Sequence, residues 1–429
     1  SINTNTVTNV DITNTNNFAI DLSPRTKIGD KYVIENLTGN GTINVSKFNF
    51  VGLAPIDRNI DFKVFDATNS TDSIDYAATN QKIFTPIGNY KLKAMGDGIY
   101  RASLADYNPQ VYRGQVATLA AYNNQLIVND FLTNRFILQS EQLIENTKNA
   151  NKTSAVSPIL APYQNTIDDG SVWMRTYASF ERLSMTHGLN VGNNTYGTIV
   201  GVDMPAKLLN KGWKFIPTVF LGYNGGNQYF NKVDMYQNGV QGGLMATFMK
   251  HQFISSIMAY GGGYFNEMNV AGNTDRTGNW FAGAAAKIAY NLKATKYFTI
   301  QPNVFVSYNI FGKQHWHTDY GVMSMNSGLL NGINVAPGVN FIYGRGTWSI
   351  YTTVQYMYNI NDHIGGYAGN VNLPSISMRH GYIQYGFGAT KLWKDRLNSY
   401  LQITFRNGGR TGVGFQLGLR YMFEMKKHK

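Results

Sequence analysis

The chain of 429 residues contains no cysteine, which excludes disulfide bonds, thiolate metal sites and a cysteine nucleophile. Only 14% of its residues are charged, compared with about a quarter in an average globular domain. It has no run of about 18 apolar residues, and this argues against a transmembrane helix. It also lacks the sequence signatures of phosphate-binding loops, dinucleotide-binding loops, serine hydrolases and zinc proteases. We therefore expect no enzyme activity of these classes and no cofactor.

The net charge of +12 raises the question of a nucleic-acid partner. Lysines cluster only weakly along the chain, and neither a basic helix nor a known nucleic-acid-binding motif is present. We expect these lysines to lie on solvated turns, with no nucleic acid bound. The sequence opens at Ser1 without Met and without a basic and then apolar leader, so we expect a mature chain or the C-terminal part of a longer one.

What the sequence does contain is a strict two-residue period near its end. In "GVGFQLGLRYMF" (412–423), large apolar residues alternate with glycine, Gln416 and Arg420. Side chains of a β-strand point alternately to its two faces. The period predicts a strand with one apolar face and one small or polar face.

Twelve such segments follow one another in the second half of the chain. They lie near 171–183, 195–206, 212–224, 234–250, 252–267, 277–292, 297–311, 328–343, 346–360, 379–392, 397–407 and 411–423. The connections after segments two, four, six, eight and ten are short, and most of the others are longer. An even number of strands of about 9–11 residues or more, with short turns at one end, indicates an antiparallel transmembrane β-barrel. The apolar face would meet lipid and the polar face a wet lumen. A soluble β-sandwich or propeller is the alternative, but its strands are usually about five or six residues long.

The region before the barrel divides into two parts. Residues 1–109 are rich in Asn, Thr and Ile, with short β-favouring runs between turn residues, and they fit a β-helix-like end or a small sandwich. Residues 110–147 lack glycine after Gly114, and their apolar positions recur at spacings of three and four. This segment is the one convincing helix. We therefore divide the chain at 1–109, 110–170, 171–423 and a tail at 424–429.

The layout resembles the C-terminal part of a type V autotransporter. "GNYKLKAMGDGIYRAS" resembles the autochaperone end of a passenger, and "GSVWMRTYASFER" resembles a first barrel strand. "YGTIVGVDMPAK" and "FTIQPNVFVSYNIF" resemble two further strands. The sequence departs from the family pattern at Lys287, where an inward Glu is common, and at the tail "EMKKHK", because the family usually ends on its terminal aromatic residue.

The resemblance implies the fold, location and partners. It implies an all-β chain: a 12-stranded barrel with a pore-threading α-helix, preceded by a β-helix-like passenger end. The barrel would be inserted into outer-membrane lipid with the help of periplasmic chaperones and the barrel assembly machinery. It would export residues 1–109 to the cell surface and anchor them there. The passenger could also touch a host surface.

The resemblance also implies roles for individual residues. Asn123, Asn124, Asn129 and Arg135 would lie on the pore helix, Arg175, Asp203 and Lys287 in the lumen, and Leu419, Tyr421 and Phe423 in the assembly signal.

Two chemical hypotheses and two other functions stay open at this point. Some autotransporters release the passenger by self-cleavage between two helix asparagines, and Asn123–Asn124 could do so, although Asn is common throughout this chain. His315, His317 and Asp319 could bind a metal, but no fourth ligand is evident, and exposed loop residues are the simpler interpretation. The competing functions are an outer-membrane channel with an N-terminal appendage and a surface adhesin module. We predict a translocator that is not an enzyme and holds no metal.

Overall fold

The computed structural model describes residues 1–71, 73–138, 170–345, 347–393 and 396–423. The tail at 424–429 and most of the linker after the helix lie outside these residues. The chain begins with eleven strands. They are β1 (Thr4–Ile12), β2 (Thr15–Ser23), β3 (Ile28–Gly29), β4 (Lys31–Gly39), β5 (Thr42–Phe50), β6 (Asn59–Lys63), β7 (Phe65–Ser70), β8 (Asp75–Ala78), β9 (Lys82–Phe84), β10 (Gly88–Gly96) and β11 (Ile99–Tyr107).

Two parallel ladders run through the N-terminal region. β1 pairs with β4 and β4 with β7, while β2 pairs with β5 and β5 with β8. Side-chain amides are stacked along the first ladder. Asn36 Nδ2 donates to Asn9 Oδ1, 27 residues earlier in the chain, and Asn69 Nδ2 donates to Asn36 Oδ1, 33 residues earlier. Because the two offsets differ, no single repeat period is visible in the sequence. The pairing is of the kind that successive coils of a β-helix make, and a β-helix-like passenger end stays a prediction. β6, β11, β10 and β9 follow as an antiparallel sheet.

One long helix separates this region from the barrel. A 3₁₀ turn at Pro109–Tyr112 leads into α1 (Arg113–Ile137), and Asn108 caps the turn by accepting a hydrogen bond from Gln110 N. No described helix has both the length and the apolar character needed to span a bilayer.

Eighteen further strands complete the described chain. They are β12 (Gly170–Ser184), β13 (Asn190–Asp203), β14 (Lys207–Leu208), β15 (Lys214–Phe230), β16 (Val233–Lys250), β17 (Phe253–Val270), β18 (Asn273–Tyr290), β19 (Leu292–Lys293), β20 (Phe298–Phe311), β21 (Gln314–Thr318), β22 (Met323–Ser327), β23 (Leu330–Arg345), β24 (Trp348–Asn361), β25 (Ile364–Ala368), β26 (Val371–Ile376), β27 (Tyr382–Trp393), β28 (Leu397–Gly408) and β29 (Arg410–Phe423).

The twelve long strands form a closed antiparallel barrel, which confirms the predicted fold. Each pairs with its neighbours in sequence, and β12 closes the ring by pairing with β29 from Gly170↔Phe423 to Leu183↔Arg410. Closure leaves no free sheet edge, as strands in a bilayer require. We call the end with Gly170 and Phe423 the turn end, and the end with segments 312–329 and 362–381 the loop end.

The strands show the predicted alternation between an apolar outward face and an inward face that carries polar residues. On β29, the exposed fractions of Leu417 and Leu419 are 56% and 48%, whereas those of Gln416 and Arg420 are 6% and 7%. The outward face therefore carries the apolar residues. The lumen is not uniformly polar, because Phe220, Phe281 and other aromatic side chains also point inward.

The connections at the loop end differ from the prediction. The connection after segment five, between 267 and 277, is one of the longer connections in the sequence-based assignment, but β17 and β18 continue through it to a two-residue turn at Ala271–Gly272. Asn231–Lys232 forms a similar turn between β15 and β16. All four turn residues have positive φ, as this type of two-residue hairpin turn requires. An Asn-Lys pair is not a typical sequence for such a turn, so the sequence does not predict it.

The two truly long connections fold into a small sheet of their own. β21, β22, β25 and β26 pair in that order above the loop end. We call these four strands the cap sheet.

Candidate functional site

Helix α1 occupies the barrel lumen, and all 25 of its residues are buried. Its N-terminal end lies at the loop end, where Gln110 Nε2 donates to the carbonyl of Asn231. Its C-terminal end lies at the turn end, where Arg135 pairs with Asp203. The helix therefore runs the length of the pore, as predicted, and its contacts with the wall form the candidate site.

A buried ion pair holds the helix at the loop end. Arg113 Nε and Nη2 donate to Asp275 Oδ2 over 2.9 and 2.7 Å, and both side chains are almost fully buried. Gln115 Nε2 donates to the carbonyls of Ile364 and Pro374 in the segment that carries the cap sheet. These contacts tie the helix to the barrel wall and to the cap.

Side-chain amides dominate the middle of the helix. Asn124 Oδ1 accepts from Asn193 Nδ2 over 2.9 Å. Asn129 Nδ2 donates to the hydroxyl of Tyr260 over 2.5 Å, and Gln125 Nε2 donates to Gln241 over 2.8 Å. Asn124 and Asn129 thus bind wall residues directly, where the sequence suggested a wet polar face.

Asn123 lies in a different environment. Its Nδ2 donates back to the Leu119 carbonyl over 2.8 Å, and its own carbonyl accepts from Arg410 Nη1 over 2.6 Å. Arg410 is held by Glu181, which also pairs with Arg406. One buried carboxylate therefore orients two guanidinium groups, of which one reaches the carbonyl of the Asn123–Asn124 peptide bond.

Lys287 completes a second buried ion pair with the helix. Its ammonium donates to Asp130 Oδ1 over 2.9 Å, and Gln384 donates to the other oxygen over 3.1 Å. In this ion pair the barrel wall carries the positive charge, and the helix supplies the carboxylate. Asp130 thus supplies the partner that the inward Lys287 requires.

The densest cluster lies at the turn end around Asp203. Arg135 donates to both oxygens of this carboxylate. Ser171 donates to Oδ2 over 2.6 Å, and Trp173 Nε1 donates to Oδ1 over 3.2 Å. Arg420 approaches Oδ2 to 3.4 Å. A buried carboxylate with this many donors is fully compensated, so Arg135 is firmly anchored.

Arg175 anchors the helix through its backbone. Its Nη1 donates to the Phe131 carbonyl over 3.1 Å, and its guanidinium lies 4.1 Å from the ring centre of Tyr400. All three predicted lumen residues, Arg175, Asp203 and Lys287, therefore touch the helix.

Tyr122 packs on an aromatic part of the wall. The ring of Tyr122 meets that of Phe311 edge-on at 6.3 Å, and Phe311 is stacked on Phe281 at 5.3 Å. A Cβ atom at Gly332 would lie 2.3 Å from the Tyr122 ring, so glycine is needed for this approach.

Sequence reasoning missed Arg113, Asp130, Glu181, Arg406 and Arg410. The signal for the wall residues was present, because each occupies an inward position of a strand whose outward positions are apolar. A charged residue at such a position has to find a partner in the lumen.

The other predicted residues lie outside the lumen. Leu419 and Tyr421 are about half exposed on the lipid face of β29. His315 and His317 are exposed on β21, and Asp319 follows in the next connection. Among the described residues, no group of three or more His, Asp or Glu side chains is placed to hold a metal ion.

Solved structures of two autotransporter domains are similar to this chain in architecture. The translocator domain of autotransporter NalP from Neisseria meningitidis matches with a TM-score of 0.53 and 10% identity, over 74% of this chain and 100% of that one. The fold is that of an autotransporter translocator domain. The transport unit of autotransporter AIDA-I from Escherichia coli matches with a TM-score of 0.51 and 13% identity, over 67% of this chain and 97% of that one. No family model and no curated protein matches the sequence.

Proposed function

We propose that this chain exports its N-terminal passenger across the outer membrane and anchors it at the cell surface. The observation that carries the proposal is the path of helix α1. The helix leaves residues 1–108 at the loop end, passes through the lumen, and ends beside Asp203 at the turn end. A chain drawn through the pore towards the loop end would be left in this arrangement.

The passenger end rests on the loop end of the barrel. Arg25 Nη2 donates to the Val322 carbonyl over 2.8 Å, and Asn370 N donates to the Ile56 carbonyl over 2.9 Å. Tyr107 hydroxyl donates to the Asn372 carbonyl over 3.2 Å. These contacts support a location of residues 1–109 outside the cell.

The last sheet of the passenger is suited to fold first once it has emerged. Tyr90 and Tyr100 are fully buried at its centre, and the β10–β11 hairpin needs only local pairing. Local contacts form fastest because little loop entropy is lost. Folding on the far side would remove unfolded chain from the pore and so bias movement outwards, without ATP.

The assembly partners belong to the same proposal. Leu419 and Tyr421 lie on the lipid face of β29, which closes the barrel against β12. An aromatic final strand of this kind would be read by the barrel assembly machinery after periplasmic chaperones have delivered the chain. A host surface is the proposed partner of the passenger.

Protease shaving of intact cells tests the export proposal. An epitope tag is inserted after Asn80, between β8 and β9, and a matched tag is inserted after His251 in the turn between β16 and β17. We expect external protease to remove the first tag and spare the second. If the Asn80 tag is cut only after lysis, the proposal is wrong.

The channel alternative makes the opposite prediction for conductance. Helix α1 fills the lumen and is bound at both ends, so the intact barrel should conduct little in planar bilayers. A large, stable conductance with the helix in place would favour a channel.

Self-cleavage is a second candidate, favoured by the contact between Arg410 and the Asn123 carbonyl. In this reaction Asn123 Nδ2 attacks its own carbonyl carbon, the bond to Asn124 N breaks, and a proton passes to that nitrogen, leaving a succinimide. Arg410 would stabilise the negative charge that develops on the oxygen. Nδ2 binds Leu119 in the structure, so the side chain must first rotate.

Mass spectrometry of the barrel tests this reaction. We expect a barrel fragment that begins at Asn124, and we expect Asn123→Ala to abolish it while Asn129→Ala does not. Passenger release that is unchanged in Asn123→Ala rejects self-cleavage and leaves export untouched.

A further inference from the structure

The lipid face of the barrel carries a lysine held between two tryptophan rings. Lys391 Nζ lies 4.1 Å from the ring centre of Trp348 and 4.1 Å from that of Trp393. Trp348 is directly opposite Lys391 in the β24–β27 register, and Trp393 follows two residues later on the same face. Trp393 Nε1 donates to Ser399 Oγ over 3.0 Å, which fixes this ring. The ammonium is therefore positioned between these two rings at the turn end of the outward face.

The rings attract the ammonium but accept none of its three hydrogens in an ordinary hydrogen bond. Among the described residues, no carboxylate pairs with Lys391, and its recorded partners are the two rings. A charge facing lipid costs little near the interface, about 0–1 kcal/mol, because polar groups outside the protein can bind it. The site is thus built to meet an acceptor from the membrane.

An apolar groove of about 500 Å³ leads away from this lysine along the outer wall. Small side chains at Ala389, Thr176 and Ser399 contribute to its lining. Apart from the buried Tyr400, its larger lining residues are exposed on the outward face. They are Met174, Trp348, Trp393, Leu401, Leu417 and Leu419. An acyl chain fits such a groove.

Other basic residues gather at the same end of the barrel. They are Lys207, Lys211, Lys214, Lys250, Lys293, Lys296, Arg345 and Arg396. In the described strand ends and turns of this end, the acidic residue is Asp203, whose carboxylate faces the lumen and binds Arg135. In the described part of the turn end, basic residues therefore outnumber acidic ones.

We propose that the groove beside Lys391 binds one anionic phospholipid, with its phosphate on the ammonium between Trp348 and Trp393 and an acyl chain in the groove. The basic rim would raise the local concentration of such lipids. The proposed function determines only which leaflet the bound lipid belongs to, because an exporting barrel would have its turn end on the periplasmic side. Binding itself does not depend on export.

Native mass spectrometry of the full chain in detergent, with dioleoylphosphatidylglycerol or dioleoylphosphatidylcholine added, tests the site. We expect one phosphatidylglycerol to be retained more strongly than phosphatidylcholine. Lys391→Gln should raise its apparent Kd about fivefold, the factor that about 1 kcal/mol per basic residue near an anionic surface corresponds to. Lys313→Gln removes the same charge at the loop end and should change nothing.

Ala389→Leu keeps Lys391 but fills part of the groove, so it should also weaken the binding of phosphatidylglycerol. Inorganic phosphate should not displace the lipid. Equal retention of both lipids, or equal loss in Lys391→Gln and Lys313→Gln, overturns the proposal. A heat-shift on a gel confirms that each variant is a folded barrel. Because the assay contains no passenger transport, failure here leaves the export proposal standing.

Discussion

The ion pair between Asp130 and Lys287 allows the role of the helix as a plug to be tested quantitatively. The side chain of Asp130 is 8% exposed and that of Lys287 is 1% exposed, and Lys287 Nζ lies 2.9 Å from Asp130 Oδ1. In Lys287→Ala the carboxylate keeps two neutral amide donors, from Gln384 and Asn134, but loses its counter-charge. Removing one partner of a buried pair costs about 3–5 kcal/mol.

This cost falls on the plugged state, because a helix outside the pore exposes both groups to water. A loss of about 4 kcal/mol corresponds to a roughly thousandfold increase in the ratio of unplugged to plugged barrels. Single-channel recording in planar bilayers measures that ratio directly. We expect Lys287→Ala and Asp130→Asn each to open the pore.

The double variant Asp130→Asn with Lys287→Met is the decisive control. Neutral or apolar replacement of a whole buried pair is often tolerated, so this variant should be closer to wild type than either single variant. Arg276→Ala removes one partner of an exposed pair with Glu267 and should shift stability by no more than about 1 kcal/mol. Single variants that stay closed while the double variant opens would refute the reasoning.

Three further changes test other parts of the structure. Gly332→Ala should lower the thermal stability of the plugged barrel by about 1–3 kcal/mol through its clash with Tyr122, whereas Gly263→Ala, whose added Cβ meets only a carbonyl at 3.6 Å, should not. Tyr90→Ala should delay the appearance of a protease-resistant passenger, at a cost of about 3–5 kcal/mol, and Tyr90→Phe, which loses only the bond to the Asp57 carbonyl, should cost about 1 kcal/mol. Burial raises the pKa of Asp362, so its ionisation opposes folding. The protection of segment 362–381 against amide exchange, measured relative to the intrinsic exchange rate, should therefore fall as pH rises above about 4, where an unfolded Asp ionises. Asp362→Asn should flatten that dependence, and an unchanged slope would contradict it.

The sequence alone was sufficient for the features that depend on local patterns. The two-residue period assigns Leu417 and Leu419 to lipid and Gln416 to the lumen, because strand geometry leaves only two faces. The helix was predictable for the same reason. The hairpin at Asn231–Lys232 was not, because its positive φ values do not come from an Asn-Gly or Asp-Gly pair.

The partners inside the lumen were beyond sequence reasoning for a different reason. Lys287 and Asp130 are 157 residues apart, and Glu181 and Arg410 are 229 residues apart. The height and rotation of the helix in the pore decide which groups meet, and neither follows from a local period. A single sequence indicates that Lys287 needs a partner, but not which carboxylate supplies it.

The polar character of the contacts would suit a segment that enters the pore from water, as the export proposal requires. Arg113, Asp130 and Arg135 are hydrated before the helix is in place. The free-energy cost of removing this hydration therefore offsets much of the electrostatic attraction in each buried ion pair. The amide contacts of Asn124 and Asn129 likewise exchange water for protein partners with a small net gain. An apolar helix would bind an apolar wall more strongly, but it would bind almost equally well at many positions along the pore. Charged groups at three heights bind only when Asp275, Lys287 and Asp203 are all matched. The final position is therefore specified by the match of charges, while the path towards it stays free of strong wrong contacts.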